Sequence, residues 1–130
     1  MKNRFIYNIA DKEYEQYNML IETNCECTQL IQYLVDIYGD KDFIPLDDET
    51  ELTEWKKEQI EGLASTFEET ELFTSDEKRT EVASRIIDEL IENADILGNT
   101  EEYVYDTLES IDGMSVHHYT DEKNITTIYY

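Results

Sequence analysis

From Ile86 to Glu122 the chain has no lysine and no arginine, but it has eleven carboxylates: Asp88, Glu89, Glu92, Asp95, Glu101, Glu102, Asp106, Glu109, Asp112, Asp121 and Glu122. A carboxylate taken out of water must be paired or hydrogen-bonded. This stretch brings no base of its own for that purpose. Its fold must therefore keep the acids at solvent while burying the apolar residues between them. The whole chain extends the theme, with 32 acids against 10 bases and a formal charge of −22 on 130 residues. Such a surface repels itself and lowers the stability of the compact state.

A core is nevertheless within reach. The chain is 40% hydrophobic and carries ten Tyr, four Phe and one Trp. Disordered acidic segments are poor in aromatics, and a folded chain of this length buries roughly two-thirds of its unfolded surface. One acidic α+β domain over residues 1–130 is the expectation. No apolar run approaches the ~20 residues of a membrane span. The N-terminal stretch Met1–Tyr7 is soon interrupted by Asn8 and Asp11, unlike a signal peptide. Cys25 and Cys27 stand too close for an ordinary structural disulfide and read as free thiols of a reducing compartment. A cytoplasmic protein is expected. The fourteen Ile and ten Tyr against four Ala imply AT-rich codons. That bias fits a low-GC bacterium, or a phage or plasmid living in one, better than a salt-adapted organism.

Hydrophobic periodicity predicts the elements. Phe5, Tyr7 and Ile9 alternate with polar residues and predict a strand. Asp11 is placed to cap a helix running to about Glu22. Thr28 starts a second helix, which Gly39 stops. Residues 40–52 read as a loop around Pro45, and Thr53 begins a third helix. Ser75 caps a fourth, in which Val82, Ala83, Ile86, Ile87, Leu90, Ile91, Ala94 and Leu97 keep helical spacing up to Gly98. Thr100 caps a fifth, ending at Gly113. Met114–Thr120 and Ile125–Tyr130 predict a β-hairpin across the polar link Asp121-Glu122-Lys123-Asn124. The expected architecture is five helices packed on a small antiparallel sheet, made of the N-terminal strand and the C-terminal hairpin.

Three helices place acids at i, i+4 and i+7, which share one narrow stripe. They are Glu54/Glu58/Glu61, Asp88/Glu92/Asp95 and Glu102/Asp106/Glu109. Neighbouring carboxylates on such a stripe stand about 5–6 Å apart and cost the helix a few tenths of a kcal/mol each. Lys56 and Lys57 answer the first stripe, whereas the fifth helix has no base at all. A partner-binding surface is therefore expected at Asp88, Glu89, Glu92, Asp95, Glu101, Glu102, Asp106, Glu109 and Asp112. The loop acids Asp47, Asp48, Glu49 and Glu51 form a secondary candidate.

Other chemistries find little footing. Asp40, Asp42, Asp48 and Glu51 have part of a calcium-loop spacing, but Ile44 and Pro45 occupy the positions that need an oxygen ligand and a glycine. His117 and His118, adjacent in a strand, point to opposite faces. Cys25 and Cys27 lack the spacing of a zinc site. Four isolated glycines build no phosphate loop, and there is no nucleophile elbow. No basic stripe exists to hold nucleic acid directly. The expectation is a non-enzyme without metal or cofactor. Exposed tyrosines, with Tyr119, Tyr129 and Tyr130 as candidates, would add interface contact.

In size, acidity and AT-rich composition the chain resembles phage and mobile-element inhibitors that mimic DNA, the anti-CRISPR and antirestriction class. The resemblance covers composition and carries over no motif and no functional residue. It implies a stoichiometric protein inhibitor that occupies the basic DNA-binding cleft of a host defence nuclease. Immunity proteins and antitoxins that neutralise a basic nuclease toxin share the same profile and are the alternative.

Self-repulsion at this charge density predicts that salt stabilises the fold by screening. The melting temperature at pH 7 is expected to rise between 20 mM and 300 mM sodium chloride. A flat or falling dependence in a calorimetric series would contradict that.

Overall fold

The computed structural model describes residues 4–10, 19–70, 72–96, 98–118 and 125–129. Their order is β1 (Phe5–Ala10), β2 (Met19–Thr23), α1 (Thr28–Gly39), a short 3-10 turn (Lys41–Phe43), α2 (Glu49–Thr70), α3 (Asp76–Asn93), α4 (Thr100–Glu109), β3 (Val116–His118) and β4 (Ile125–Tyr129). The class is α+β, as expected. Among the described residues there are four α-helices rather than five, and the sheet is mixed rather than antiparallel.

The sheet has the order β3-β2-β1-β4. β1 is central and pairs antiparallel with β2, Tyr7 opposite Ile21, and parallel with β4, Ile9 opposite Ile128. β3 extends the other edge, antiparallel to β2, with His118 opposite Ile21. The expected C-terminal hairpin is therefore absent. β3 and β4 lie at opposite edges and run in the same direction, and the segment 119–124 between them falls outside the described residues.

The cause of that difference is Met19–Thr23. Of the helix expected from Asp11 to about Glu22, residues 19–22 are strand instead, and residues 11–18 fall outside the described residues. The consecutive apolar residues Leu20 and Ile21 satisfy either period. Ile21 and Thr23, both β-branched, point to one face and are fully buried, which is the strand solution. Once β2 pairs with β1, only the two outer edges of that pair remain, and each C-terminal strand takes one of them.

The helices cover one face of the sheet. Tyr7, Ile9, Ile21, Val116 and Ile128 join Leu30, Ile31, Leu34 and Val35 of α1 in a single core. α1 lies on the sheet against β4, and α4 sits beside it, touching β3. α2 packs on α1 and on α3. Leu63 and Phe67 of α2 and Val82, Ala83, Ile86, Ile87 and Leu90 of α3 complete the interior, with Phe67 edge-on to Phe73 at 5.3 Å.

Ends were less legible than middles. α1 spans Thr28–Gly39, as its periodicity implies. α2 starts at Glu49, not Thr53, because the Asp48 carboxylate accepts the N–H groups of Thr50 and Glu51 at 3.0 and 3.1 Å. α3 stops at Asn93 although the apolar spacing continues to Leu97. α4 ends at Glu109, short of Gly113, whose φ of 88° suits a residue without Cβ.

Leu34 is fully buried at the centre of this core. Leu34→Ala is expected to cost about 2–5 kcal/mol in urea unfolding. A loss below about 1 kcal/mol would mean that α1 is not the element on which sheet and helices meet.

Candidate functional site

α3 and α4 bring their acids together. Ser75 caps α3 by accepting the Lys78 N–H at 3.2 Å. The buried side of α3 then fixes its acids toward solvent. Asn99 caps α4, its side chain accepting the Glu102 N–H at 2.9 Å; Thr100, the expected cap, is the first helical residue. The Arg85 guanidinium donates to the Ser110 carbonyl at 3.1 Å and ties α3 to the end of α4.

Between these helices lies a cleft of about 160 Å³, lined by Ile86, Glu89, Asn93, Gly98, Glu102, Tyr103, Asp106 and Thr107. Glu89 from α3 thus shares one concavity with Glu102 and Asp106 from α4. A Cβ built at Gly98 would sit 2.6 Å from a carboxylate oxygen at the free end of the exposed Glu102 side chain. Glu92, Asp95, Glu109 and Asp112 are exposed beyond the cleft walls.

Two expected members do not belong to this surface. Glu101 is buried, 3% exposed, and is unable to face a partner. Its position explains this, since Glu101, Val104 and Leu108 stand at i, i+3 and i+7 on the inward stripe of α4. That signal was present in the sequence. Asp88 is turned toward α2, where the Lys56 ammonium pairs with it at 2.5 Å. The base-free stretch is therefore neutralised at this point from outside itself. Asp121 and Glu122 fall outside the described residues.

Helix polarity sharpens the contrast between the remaining acids. Glu102 lies in the first turn of α4, where the helix dipole favours negative charge. Glu89 and Glu92 lie toward the C-terminal end of α3, where the dipole opposes it. None of the four helices has a base in its last turn. The acids at those ends are held against both their neighbours and the dipole.

The secondary candidates divide differently. Asp48 caps α2, and Glu49 and Glu51 occupy its first turn. These are helix-start roles that account for the acids without a partner. The expected loop 40–52 is thus a 3-10 turn followed by a capped helix, with Phe43 and Asp47 exposed. Among the described residues no group of three or more His, Cys, Asp or Glu is arranged to hold a metal ion. His117 lies opposite Glu22, while His118, on the other face, stacks on Tyr105 at 4.5 Å. Cys25 and Cys27 are free thiols. The Cys27 thiol is pushed up by its hydrogen bond to Cys25 and by burial, and the same bond holds Cys25 down. Tyr129 is exposed on β4, and Tyr119 and Tyr130 fall outside the described residues.

Sequence reasoning missed Tyr103, which helps to form the cleft and stacks on Tyr38 with ring centroids 5.0 Å apart. Burial is the main force that pushes its hydroxyl up to about 12; Glu89 and Tyr38 add to it, and the Thr107 hydroxyl partly offsets it. Tyr33 is also pushed up to about 12 by burial, and Tyr7 and Tyr38 are raised for the same primary reason. Their neutral forms suit the folded state. Because the folded values exceed the unfolded value of about 10, the associated stability is complete below that pH. It is lost as pH rises from about 10 through the folded values. Alkaline unfolding between pH 10 and 12 is therefore expected, with part of the tyrosinate absorbance at 295 nm appearing only as helical circular dichroism disappears. Native protein in which all ten tyrosines ionise near pH 10 would contradict this assignment.

The arrangement can accept hydrogen bonds and neutralise positive charge, and guanidinium groups are the donors that carboxylate pairs receive best. No helix of the described residues is long and apolar enough to cross a membrane. Comparison with protein-family models, with curated proteins and with solved structures finds no match.

Proposed function

We propose that the chain is a stoichiometric inhibitor of a host defence nuclease, of the anti-CRISPR or antirestriction kind. Its acidic surface occupies the basic cleft through which the nuclease holds DNA. One observation carries this reading: Glu89, Glu102 and Asp106 from two helices line a single cleft, in a region that contributes no lysine or arginine between Ile86 and Glu122. Glu92, Asp95, Glu109 and Asp112 extend the negative field around it. Carboxylates arrayed in this way offer Arg and Lys side chains what successive phosphates offer them. Acids at helix ends that oppose them cost stability, and an interface that needs them is a physical reason to keep them.

The reading is tested by plating phage on bacteria armed with either a CRISPR effector or a restriction enzyme and expressing the chain. Protection of the phage is expected with one of the two systems. Glu92→Lys with Glu102→Lys is expected to reduce protection at least tenfold while preserving the circular dichroism spectrum, because each reversal sets like charges together across the interface. The equivalent reversal at Glu68 and Glu69, exposed at the end of α2, is expected to matter less. The purified protein is expected not to shift plain duplex DNA in a gel at physiological salt. Tight DNA binding, or full protection by the cleft variant alongside loss in the α2 variant, would overturn the assignment. Protection against neither system, with rescue of cells from a basic nuclease toxin, would favour an immunity protein instead.

A further inference from the structure

Two thiols stand where β2 hands over to α1, and the acidic cleft does not account for them. Cys27 is fully buried, whereas Cys25 is partly exposed. The buried Thr23 fixes the turn: its hydroxyl donates to the Cys25 carbonyl at 2.8 Å and lies 3.8 Å from the Cys27 sulfur. The two thiols are hydrogen-bonded to each other. Two residues apart, their Cα atoms stand within about 7 Å, close to the span that a disulfide bridges. One sulfur is reached from solvent and the other is held behind it.

The thiolate is the reactive form of cysteine. The bond to Cys27 holds the Cys25 thiol down, against burial and the Glu26 carboxylate, which push it up. Cys27 is pushed the opposite way, by the same bond and by burial. The pair is thus divided into an accessible sulfur that ionises more readily and a shielded one that keeps its proton. An attacking and a resolving thiol need that division. Charge narrows the choice of oxidant. At −22 the chain repels anions such as glutathione disulfide, while an uncharged peroxide approaches freely.

We propose that Cys25 and Cys27 form a peroxide-responsive switch, in which Cys25 is oxidised and Cys27 resolves it. The Cys25 sulfur attacks hydrogen peroxide; the O–O bond breaks, an S–O bond forms, and water leaves. The Cys27 sulfur then displaces the sulfenic hydroxyl, an S–S bond forms, and the thiol proton departs with that hydroxyl as a second water. In sum, two thiols and one peroxide give one disulfide and two waters, the peroxide taking two electrons from sulfur. The new bond draws the Cys27 sulfur away from Thr23, beside the Cys27 amide that donates to the Tyr7 hydroxyl at 2.8 Å. It therefore loosens the start of α1. A disulfide closing so short a ring is strained and easily reduced, which makes the step reversible by thiols. The inference does not rest on the acidic cleft or on a nuclease partner.

The test treats the reduced protein with a slight excess of hydrogen peroxide at pH 7 and reads the intact mass. A loss of about 2 Da, the two thiol hydrogens, is expected, with recovery in dithiothreitol. Non-reducing electrophoresis is expected to show monomer. In urea the loss is expected to be at least about threefold slower, because unfolding separates the hydrogen-bonded thiols. Dimedone traps sulfenic acid, and early in the reaction its adduct is expected on Cys25 by fragment mass spectrometry. Cys27→Ser is expected to accumulate that adduct, and Cys25→Ser to lose the response. The melting temperature of the oxidised chain is expected to fall by about 2–5 °C. Trapping on the native chain needs no variant, so a misfolded Cys27→Ser would not decide the outcome. The proposal is overturned if no such mass loss occurs, if the product is a cross-linked dimer, if the first adduct lies on Cys27, or if oxidation is as fast in urea. A melting temperature that oxidation leaves unchanged overturns the switch as well, since the bond would then alter nothing in the fold.

Discussion

The Tyr7 hydroxyl receives the backbone N–H of Cys27 at 2.8 Å, just where α1 begins. Tyr7 is 1% exposed at the middle of the central strand. A buried amide at a helix start needs an acceptor, and Cys27 offers no side-chain cap of its own. Glu26 completes the arrangement by accepting from the Thr28 amide at 3.0 Å and from the Thr28 hydroxyl, which holds its carboxyl below the usual range. One tyrosine thus sets the position of α1 on the sheet. α4 and α2 pack against α1, and α3 packs against α2, so the placement of every other helix inherits that contact.

Around this core the distribution of charge follows from scarcity of bases. Ten lysines and arginines serve 32 acids, and the described ion pairs spend them locally. Arg4 holds Glu22 with two hydrogen bonds of 2.8 Å across the β1–β2 pair. Arg79 joins Asp76 within one turn of α3, and Lys56 reaches Asp88 from α2. None of the four helices has a base of its own in its last turn, although the Arg85 guanidinium of α3 reaches the Ser110 carbonyl just past α4. Acids from different elements share a concavity at the α3–α4 cleft, and Asp36 and Asp40 line a groove between α1 and α2.

Periodicity made much of this legible. β1 was legible as a strand, but its burial does not alternate, since Ile6 and Ala10 are buried as well as Tyr7 and Ile9 while Phe5 is half-buried. The inward residues of α1 and α3 followed directly from their spacing. So did the outward direction of Glu92, Asp106 and Glu109, since a helix that buries one stripe must expose the opposite one. Glu101 was also legible, through its spacing to Val104 and Leu108, but the charge of the stretch outweighed the period in reading it. Met19–Thr23 was not legible, because a short run with two adjacent apolar residues fits helix and strand alike. The partnering of β3 and β4 was hidden for the same reason: strand order depends on how many edges exist, and the unseen β2 changed that number.

The sequence by itself determined that this chain is α+β and that a broad band of acids lies at the surface, because burial of unpaired carboxylates is too costly and helical spacing leaves them only one side. It also determined the net charge of −22, which is the same whatever the fold. Only the tertiary structure decided which acids act together. Glu89 meets Glu102 and Asp106 because α3 and α4 flank one cleft; Asp88 is answered by Lys56, 32 residues earlier; and Trp55 lines the same groove as Asp36 and Asp40 because α2 packs on α1. Those neighbours are remote in sequence, and spacing carries information about one element at a time.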